Sequence, residues 1–334
     1  MKIAINGFGR IGKLVFRAFL EKKLKNVEIV AINELGNIDS SIHLLKYDTI
    51  HGILPSKISK TKNGIKIQGN NINFYSELDP RNLPWKSLKV DVVLECSGVF
   101  TSKEKAIAHI SAGAKKVIIS APASNADKTI VQGVNNLQLT KKHDVISNGS
   151  CTTNCLAPLA MVLDSGLGIE SGFMTTIHSY TGDQRTVDQT HNDLRRARAA
   201  AVSMIPTSTG AAKALSLVLP RLSGRLDGTA IRVPTPNVSL IDFTFNSKKK
   251  TTVKQINSLV VRASKSSKLK NILTINNLPL VSIDFNHNSS SSIFDITQTQ
   301  VVKDKFCRVL AWYDNEWGFS NRMIETMLDL RKFI

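Results

Sequence analysis

Gly7, Gly9 and Gly12 stand in the spacing G-x-G-x-x-G, and an acid, Glu34, follows about 20 residues later. Glycines so spaced let backbone approach a pyrophosphate. A helix N-terminus behind them offers unpaired N–H groups, and the acid accepts hydrogen bonds from a ribose diol. The spacing alone is a weak signal, and its plain alternative is a tight turn beside a surface glutamate. A carboxylate at Glu34 repels a 2′-phosphate, so the pattern favours NAD over NADP.

A second group is Ser150-Cys151-Thr152-Thr153-Asn154-Cys155, which opens a helical pattern. A thiol at a helix N-terminus has its thiolate stabilised by the dipole and by open N–H groups, so a lowered pKa is expected at Cys151. Cys155, one turn further in, reads as a small buried apolar residue. The two lie four apart with no CxxC or Cys/His partner set, so no metal site is expected. A thiolate nucleophile needs a base. Of the seven histidines, His178 ends the apolar run 172–177 and opens the polar stretch Ser179-Tyr180-Thr181-Gly182-Asp183, and strand ends facing loops commonly carry catalysis. The residues alone leave two readings open: a Cys151–His178 catalytic pair, or a buried thiol and a structural histidine.

The elements that must position these groups change character near residue 150. Before it, the apolar run 2–6, the glycine turn, helical spacing at Leu14, Val15, Ala18 and Phe19, and the run 27–33 give strand, turn, helix, strand. Runs at 90–94 and 117–120 around a helical 103–112 continue that alternation, with antiparallel ribbons expected between 58 and 74. A Rossmann-type α/β unit with a parallel sheet is expected over 1–150. After the helical pattern 152–163 come long alternating runs at 172–178, 229–233, 238–245, 280–285, 293–299 and 306–313. Helical patterns at 210–219 and 252–263 are few. An α+β unit with an antiparallel sheet is expected over 151–315, and an amphipathic segment within 316–334 is expected to pack back on the first unit.

The 334 residues suffice for about two domains. A 42% apolar and 21% charged composition excludes disordered and collagen-like classes. No apolar run approaches a membrane span, no secretory signal is visible, and four cysteines fit a reducing compartment. A soluble, cytoplasmic chain is expected. The formal net charge of +18 raises a polyanion- or RNA-binding reading. The lysines are scattered and the 6% aromatics do not interleave with them, so no dedicated nucleic-acid site is expected.

Five segments closely resemble the phosphorylating glyceraldehyde-3-phosphate dehydrogenase family: 5–12, 147–158, 176–181, 232–238 and 312–318. The likeness runs essentially end to end, and Ser150-Cys151-Thr152-Thr153-Asn154-Cys155 is its most specific part. The resemblance implies NAD-dependent oxidation of glyceraldehyde 3-phosphate with inorganic phosphate, Cys151 as nucleophile and His178 as its base. It further implies cofactor contacts from the backbone of Arg10 and Ile11, from Glu34 to the adenosine ribose, from Ser120, and from Asn315 to the nicotinamide amide. Thr181 and Arg232 match the pocket for the substrate's phosphate, while Ser150, Thr152, Thr209, Gly210 and Arg196 match that for inorganic phosphate. A homotetramer is implied, with the arginine-rich loop 181–201 at a subunit interface. Met204-Ile205-Pro206 and the apolar sides of 238–245 and 306–313 add apolar surface beyond what one sheet face must bury.

Two positions depart from the family pattern. Glu34 stands where Asp is usual, and its longer arm is expected to bind ribose less rigidly. Leu78 stands where many members have a basic residue. Glu34 is shared with erythrose-4-phosphate dehydrogenase, the nearest rival reading. Ser179-Tyr180-Thr181 and Thr207-Ser208-Thr209-Gly210 favour the triose enzyme.

Overall fold

Lys2–Asn6 is buried over its last four residues and becomes a central strand because each can pack against a layer on one side or the other. The computed structural model describes residues 1–334, which fall into two units: Met1–Ile130 with Asn136–Gly149 and Ser320–Ile334, and Val131–Asn135 with Ser150–Phe319. No helix is long and apolar enough to cross a membrane.

The first unit holds a nine-stranded sheet. Its order is Lys128–Thr129, Val145–Ser147, Lys116–Ile119, Val92–Glu95, Lys2–Asn6, Glu28–Asn33, Asn70–Tyr75, Gly64–Ile67 and Ile58–Thr61. Every pairing as far as Asn70–Tyr75 is parallel, and the last two are antiparallel. Lys2–Asn6 pairs with Glu28–Asn33 on one side and Val92–Glu95 on the other, so the strand order reverses direction there. At such a point the carboxyl ends of the strands diverge and leave a crevice. Gly7 occupies it with φ +87°, and a Cβ there would fall 2.5 Å from the Ser97 backbone. Only glycine fits both demands.

The second unit holds an eight-stranded mixed sheet, largely antiparallel. The order is Ile205–Ser208, Leu226–Val233, Ile169–Ser179, Ser239–Ser247, Phe306–Tyr313, Ser292–Asp295 and Leu273–Asn276, with Gln300–Val302 also on Phe306–Tyr313. Ile169–Ser179 pairs parallel with Leu226–Val233, and Leu273–Asn276 pairs parallel with Ser292–Asp295. Helices Cys151–Leu167, Ala211–Val218 and Val253–Ser264 contribute Leu156, Leu163, Leu215 and Val260 to a core shared with Phe243 and Val309.

Two alternating runs do not continue as strands. Residues 280–285 close instead into a 3-10 turn, Ser282–Phe285, because Asp284 accepts the Val281 N–H at 2.8 Å while its own N–H returns to the Val281 carbonyl. The alternation there packs Leu280 and Phe285 into a small apolar cluster with Val238 and Trp312. The run at 293–299 ends at Asp295, whose carboxylate accepts the Thr297 N–H and starts the turn Ile296–Gln298.

Candidate active site

Ser150 caps the helix Cys151–Leu167, its hydroxyl accepting the Thr153 N–H at 3.0 Å, and this places Cys151 as the first helical residue. Ile169–Ser179 lies between two partner strands and delivers His178 one residue before its end, where the side chain is buried. Cys151 Sγ lies 3.4 Å from His178 Nε2. The parallel register sets Arg232 directly opposite His178. His178 Nδ1 lies 2.7 Å from the Ser179 carbonyl, which can only accept, so Nδ1 carries the imidazole proton and Nε2 is left as the acceptor. Arg232 Nη1 stands 2.6 Å from the same Nδ1 and donates to the Ser179 carbonyl at 3.0 Å. No carboxylate pairs with this guanidinium, and its Nε is buried without a partner.

Burial, reinforced by the Arg232 charge, lowers the His178 pKa from 6.5 to about 3. Burial also pushes the Cys151 thiol up, against the pull of Arg232 and of hydrogen bonds at Thr152 and Cys151. The lowered thiol pKa expected from the helix N-terminus is therefore corrected: burial outweighs the Arg232 charge and the hydrogen bonds that pull the thiol down. The pair rests as a thiol beside a neutral imidazole.

The other sequence-predicted residues of this unit fall into linked sets. Thr152 Oγ1 bonds Tyr313 Oη at 2.9 Å. The Thr181 N–H donates to Gln184, Gln184 donates to Asp183, and Asp183 accepts from Arg196 at 2.7 Å. Arg196 also donates to Thr207 Oγ1 at 2.8 Å, so its charge is engaged. Thr209 Oγ1 accepts the Ala211 N–H, and Gly210 precedes the helix Ala211–Val218 with open space where a Cβ would stand. Asn315 Oδ1 accepts from Ser179 Oγ and Ser239 Oγ, both at 2.9 Å, which fixes the amide and leaves its N–H2 as the donor end.

Tyr313 is the residue that sequence reasoning missed. Its hydroxyl bridges Thr152 and Thr176, at 2.8 Å for the latter, and its ring meets His178 edge-on at 5.9 Å. Strand alternation marks Tyr313 as inward-facing but says nothing of what its hydroxyl meets.

In the first unit, a cavity of about 290 Å³ is lined by Asn6, Gly7, Gly9, Glu34, Cys96 and Ser97, among others. Glu34 accepts the Phe8 N–H at 2.6 Å and the Gly36 N–H at 2.9 Å, so both carboxylate oxygens are tied to backbone. The helix Arg10–Lys22 starts at Gly9 with no side-chain cap. A Cβ on Gly9 would meet nothing within 4 Å, while one on Gly12 would fall 2.1 Å from the Gly7 carbonyl. The Arg10 side chain pairs with Asp48 at 2.5 Å. The Ser120 N–H bonds the Glu95 carbonyl at 2.9 Å. An open cradle at an uncapped helix start, with an anchored carboxylate at its rim, fits a dinucleotide.

A dinucleotide cradle together with a buried thiol–imidazole pair defines a cysteine-using, NAD-dependent dehydrogenase. The family model "Glyceraldehyde 3-phosphate dehydrogenase, NAD binding domain" matches residues 1–103, and "Glyceraldehyde 3-phosphate dehydrogenase, C-terminal domain" matches residues 150–315. The chain is 55% identical to the glyceraldehyde-3-phosphate dehydrogenase of Xanthobacter flavus over 332 residues, 99% of each chain. It is 52% identical to that of Cereibacter sphaeroides over 334 residues, 100% of this chain and 99% of the relative. It is also 52% identical to that of Geobacillus stearothermophilus over 326 residues, 97% and 96%. The chain belongs to the glyceraldehyde-3-phosphate dehydrogenase family. Its reaction is the NAD-dependent oxidative phosphorylation of glyceraldehyde 3-phosphate to 1,3-bisphosphoglycerate through a catalytic cysteine.

Proposed function

We propose that Cys151 is the nucleophile of this reaction and His178 the group that moves its protons. The carrying observation is the 3.4 Å approach of Sγ to Nε2 in a buried setting. Sγ adds to the aldehyde carbon as Nε2 takes the thiol proton and passes it to the carbonyl oxygen, which gives the hydroxyl of a hemithioacetal and leaves Nε2 free to accept again. NAD supplies the hydride acceptor when bound, held by Gly7, Gly9 and Gly12, the backbone of Arg10 and Ile11, Glu34, Ser120 and Asn315. As the hemithioacetal is oxidised, His178 takes the hydroxyl proton and a thioester remains on Cys151. A phosphate oxygen then attacks the thioester carbon and the C–S bond breaks. The thioester conserves the oxidation energy that direct hydrolysis would discard.

Arg232 and Thr181 take the substrate's own phosphate. The buried, unpartnered Nε of Arg232 supports this, because an anion would complete its coordination. Ser150, Thr152, Thr209, Gly210 and Arg196 take inorganic phosphate, with Arg196 exchanging Asp183 for the incoming anion. Comparing kcat/KM for glyceraldehyde 3-phosphate and erythrose 4-phosphate, with and without phosphate, tests both sites. Preference for the four-carbon sugar, or indifference to phosphate, overturns the assignment.

In this reading 1–150 is the NAD-binding domain, apart from 131–135 and Ser150, which group with the second unit. The catalytic domain is 151–315, and 316–334 returns to the first from Ser320 onward. The chain works in the cytoplasm as a homotetramer. Exposed Leu194 (82%), Val202 (80%) and Met204 (75%), in or beside the arginine-rich loop, support a subunit contact there. The +18 charge is a solvated surface with no dedicated nucleic-acid site. Light scattering at moderate salt giving the mass of one chain, 36.7 kDa, for active enzyme would refute the tetramer.

A further inference from the structure

Beneath the NAD cavity lies a buried polar chain that no step above uses. Glu95 ends the strand Val92–Glu95 and is 1% exposed. Its carboxylate accepts from Asn6 Nδ2 at 2.5 Å, from the Ser97 N–H at 2.7 Å, from the Ser97 hydroxyl, and from His109 Nε2 at 3.0 Å. The His109 proton is placed by its other neighbour. Trp85 Nε1 lies 3.0 Å from His109 Nδ1, and an indole N–H can only donate. Nδ1 therefore accepts, and Nε2 carries the proton that points at Glu95. All four contacts are donors, and a carboxylate accepting four bonds while donating none is the only side chain of this shape that satisfies them.

The chain runs outward from Glu95 to the cavity lining. Asn6 Oδ1 accepts from Asn33 Nδ2 at 2.7 Å, and Asn33 in turn binds the Glu77 N–H and C=O, each at 2.9 Å. Ser97 Oγ accepts the Val99 N–H at 3.1 Å. Asn6, Asn33, Glu77, Ser97 and Val99 all line the cavity, whereas Glu95, His109 and Trp85 do not. Phe100, also in the lining, packs edge-on against the His109 ring at 6.0 Å. Because the Ser97 backbone lies only 2.5 Å from where a Gly7 Cβ would be, the two segments pack backbone to backbone and a shift of Ser97 toward Gly7 is passed to the glycine turn.

We propose that Glu95 is a positioning residue for NAD: from below the cavity its carboxylate holds Asn6 and Ser97, and through them the glycine turn and the 97–100 wall, in the binding geometry. The inference rests on the reading of this cavity as the NAD site. It separates affinity from chemistry, since Glu95 touches neither the thiol nor the imidazole.

The test uses full-chain Glu95→Gln, Glu95→Asp, Trp85→Phe and Gly9→Val, with NAD Kd by titration, KM and kcat by steady state, and unfolding temperature without NAD. Glutamine must turn its NH2 on one of the four donors, so Glu95→Gln is expected to raise Kd and KM for NAD roughly 10-fold or more. Its kcat at saturating NAD and its KM for the aldehyde should stay within about twofold, and Glu95→Asp should recover part of the loss. Should Glu95→Gln fail to fold, Trp85→Phe releases the His109 tautomer and is expected to raise the NAD KM several-fold. A folded Glu95→Gln with wild-type NAD affinity, or a wild-type NAD KM in Trp85→Phe, overturns the proposal. Gly9→Val distinguishes the underlying reading: it fills open space in the cavity and should abolish NAD binding. Normal NAD binding by Gly9→Val would show instead that the cavity is not the NAD site.

Discussion

Arg232 Nη1 stands 2.6 Å from His178 Nδ1, and the two residues are direct partners across parallel strands. Burial does most to keep the imidazole neutral, and this contact adds a fixed positive charge that acts in the same direction. The same cation is the group assigned to the substrate's phosphate. Substrate binding and the basicity of His178 are therefore coupled through one side chain.

Replacing Arg232 with glutamine removes that charge. The His178 pKa should rise, moving the acid limb of the kcat/KM profile to higher pH. The KM for glyceraldehyde 3-phosphate should rise on the order of 10- to 100-fold, the worth of a charge-assisted contact to phosphate. An unshifted acid limb with unchanged KM would remove Arg232 from both roles.

The depressed His178 pKa also makes stability pH-dependent. Unfolded, the group titrates near 6.5; folded, it titrates near about 3. Between those values the unfolded chain binds more protons, so stability falls as pH drops through this window, by up to about 1.4 kcal/mol per unit from this one residue. Urea unfolding of His178→Asn across the same window should show a shallower slope than the parent enzyme. Equal slopes would mean that the imidazole is not buried neutral.

Tyr313 contributes through position. Tyr313→Phe removes the bridge between Thr152 and Thr176, and should cost about 1–3 kcal/mol in denaturant unfolding. Its effect on kcat should be smaller than that of His178→Asn, because the hydroxyl meets only the two threonines. A loss of activity matching His178→Asn would make Tyr313 a catalytic residue.

Glu34 is held by the Phe8 and Gly36 N–H groups, so its longer arm is anchored from both carboxylate oxygens. Glu34→Gln keeps the shape and removes the charge. The preference for NAD over NADP, measured as a ratio of kcat/KM values, should fall about tenfold or more. An unchanged ratio would place the discrimination elsewhere.

Much of this architecture could be read from local pattern. Gly7, Gly9, Gly12 and Glu34 carry their geometry in their types and spacing, and Ser150 announces the cap that sets Cys151. What stayed hidden depends on register between distant segments. Nothing local says that 172–179 pairs in parallel with 226–233, and without that pairing Arg232 has no reason to face His178. The net rise of the Cys151 pKa was illegible for the same reason, because burial comes from packing that the helix start does not reveal. Residues 280–285 alternate like a strand, but the hydrogen bond from Val281 to Asp284 turns that alternation into a 3-10 bend. The Glu95 network escaped notice because its members are scattered from Asn6 to His109 and meet only beneath the sheet's crevice.

The central claim is that a thioester forms on Cys151 before phosphate is needed. Rapid mixing of enzyme, NAD and glyceraldehyde 3-phosphate without phosphate, followed by intact-mass analysis, tests it most directly. The account predicts a burst of about one NADH per chain, an acyl adduct on Cys151, and turnover that resumes only when phosphate is added. Cys151→Ser should show no burst while still binding NAD. A full burst from Cys151→Ser, or an adduct on any other residue, would contradict the account.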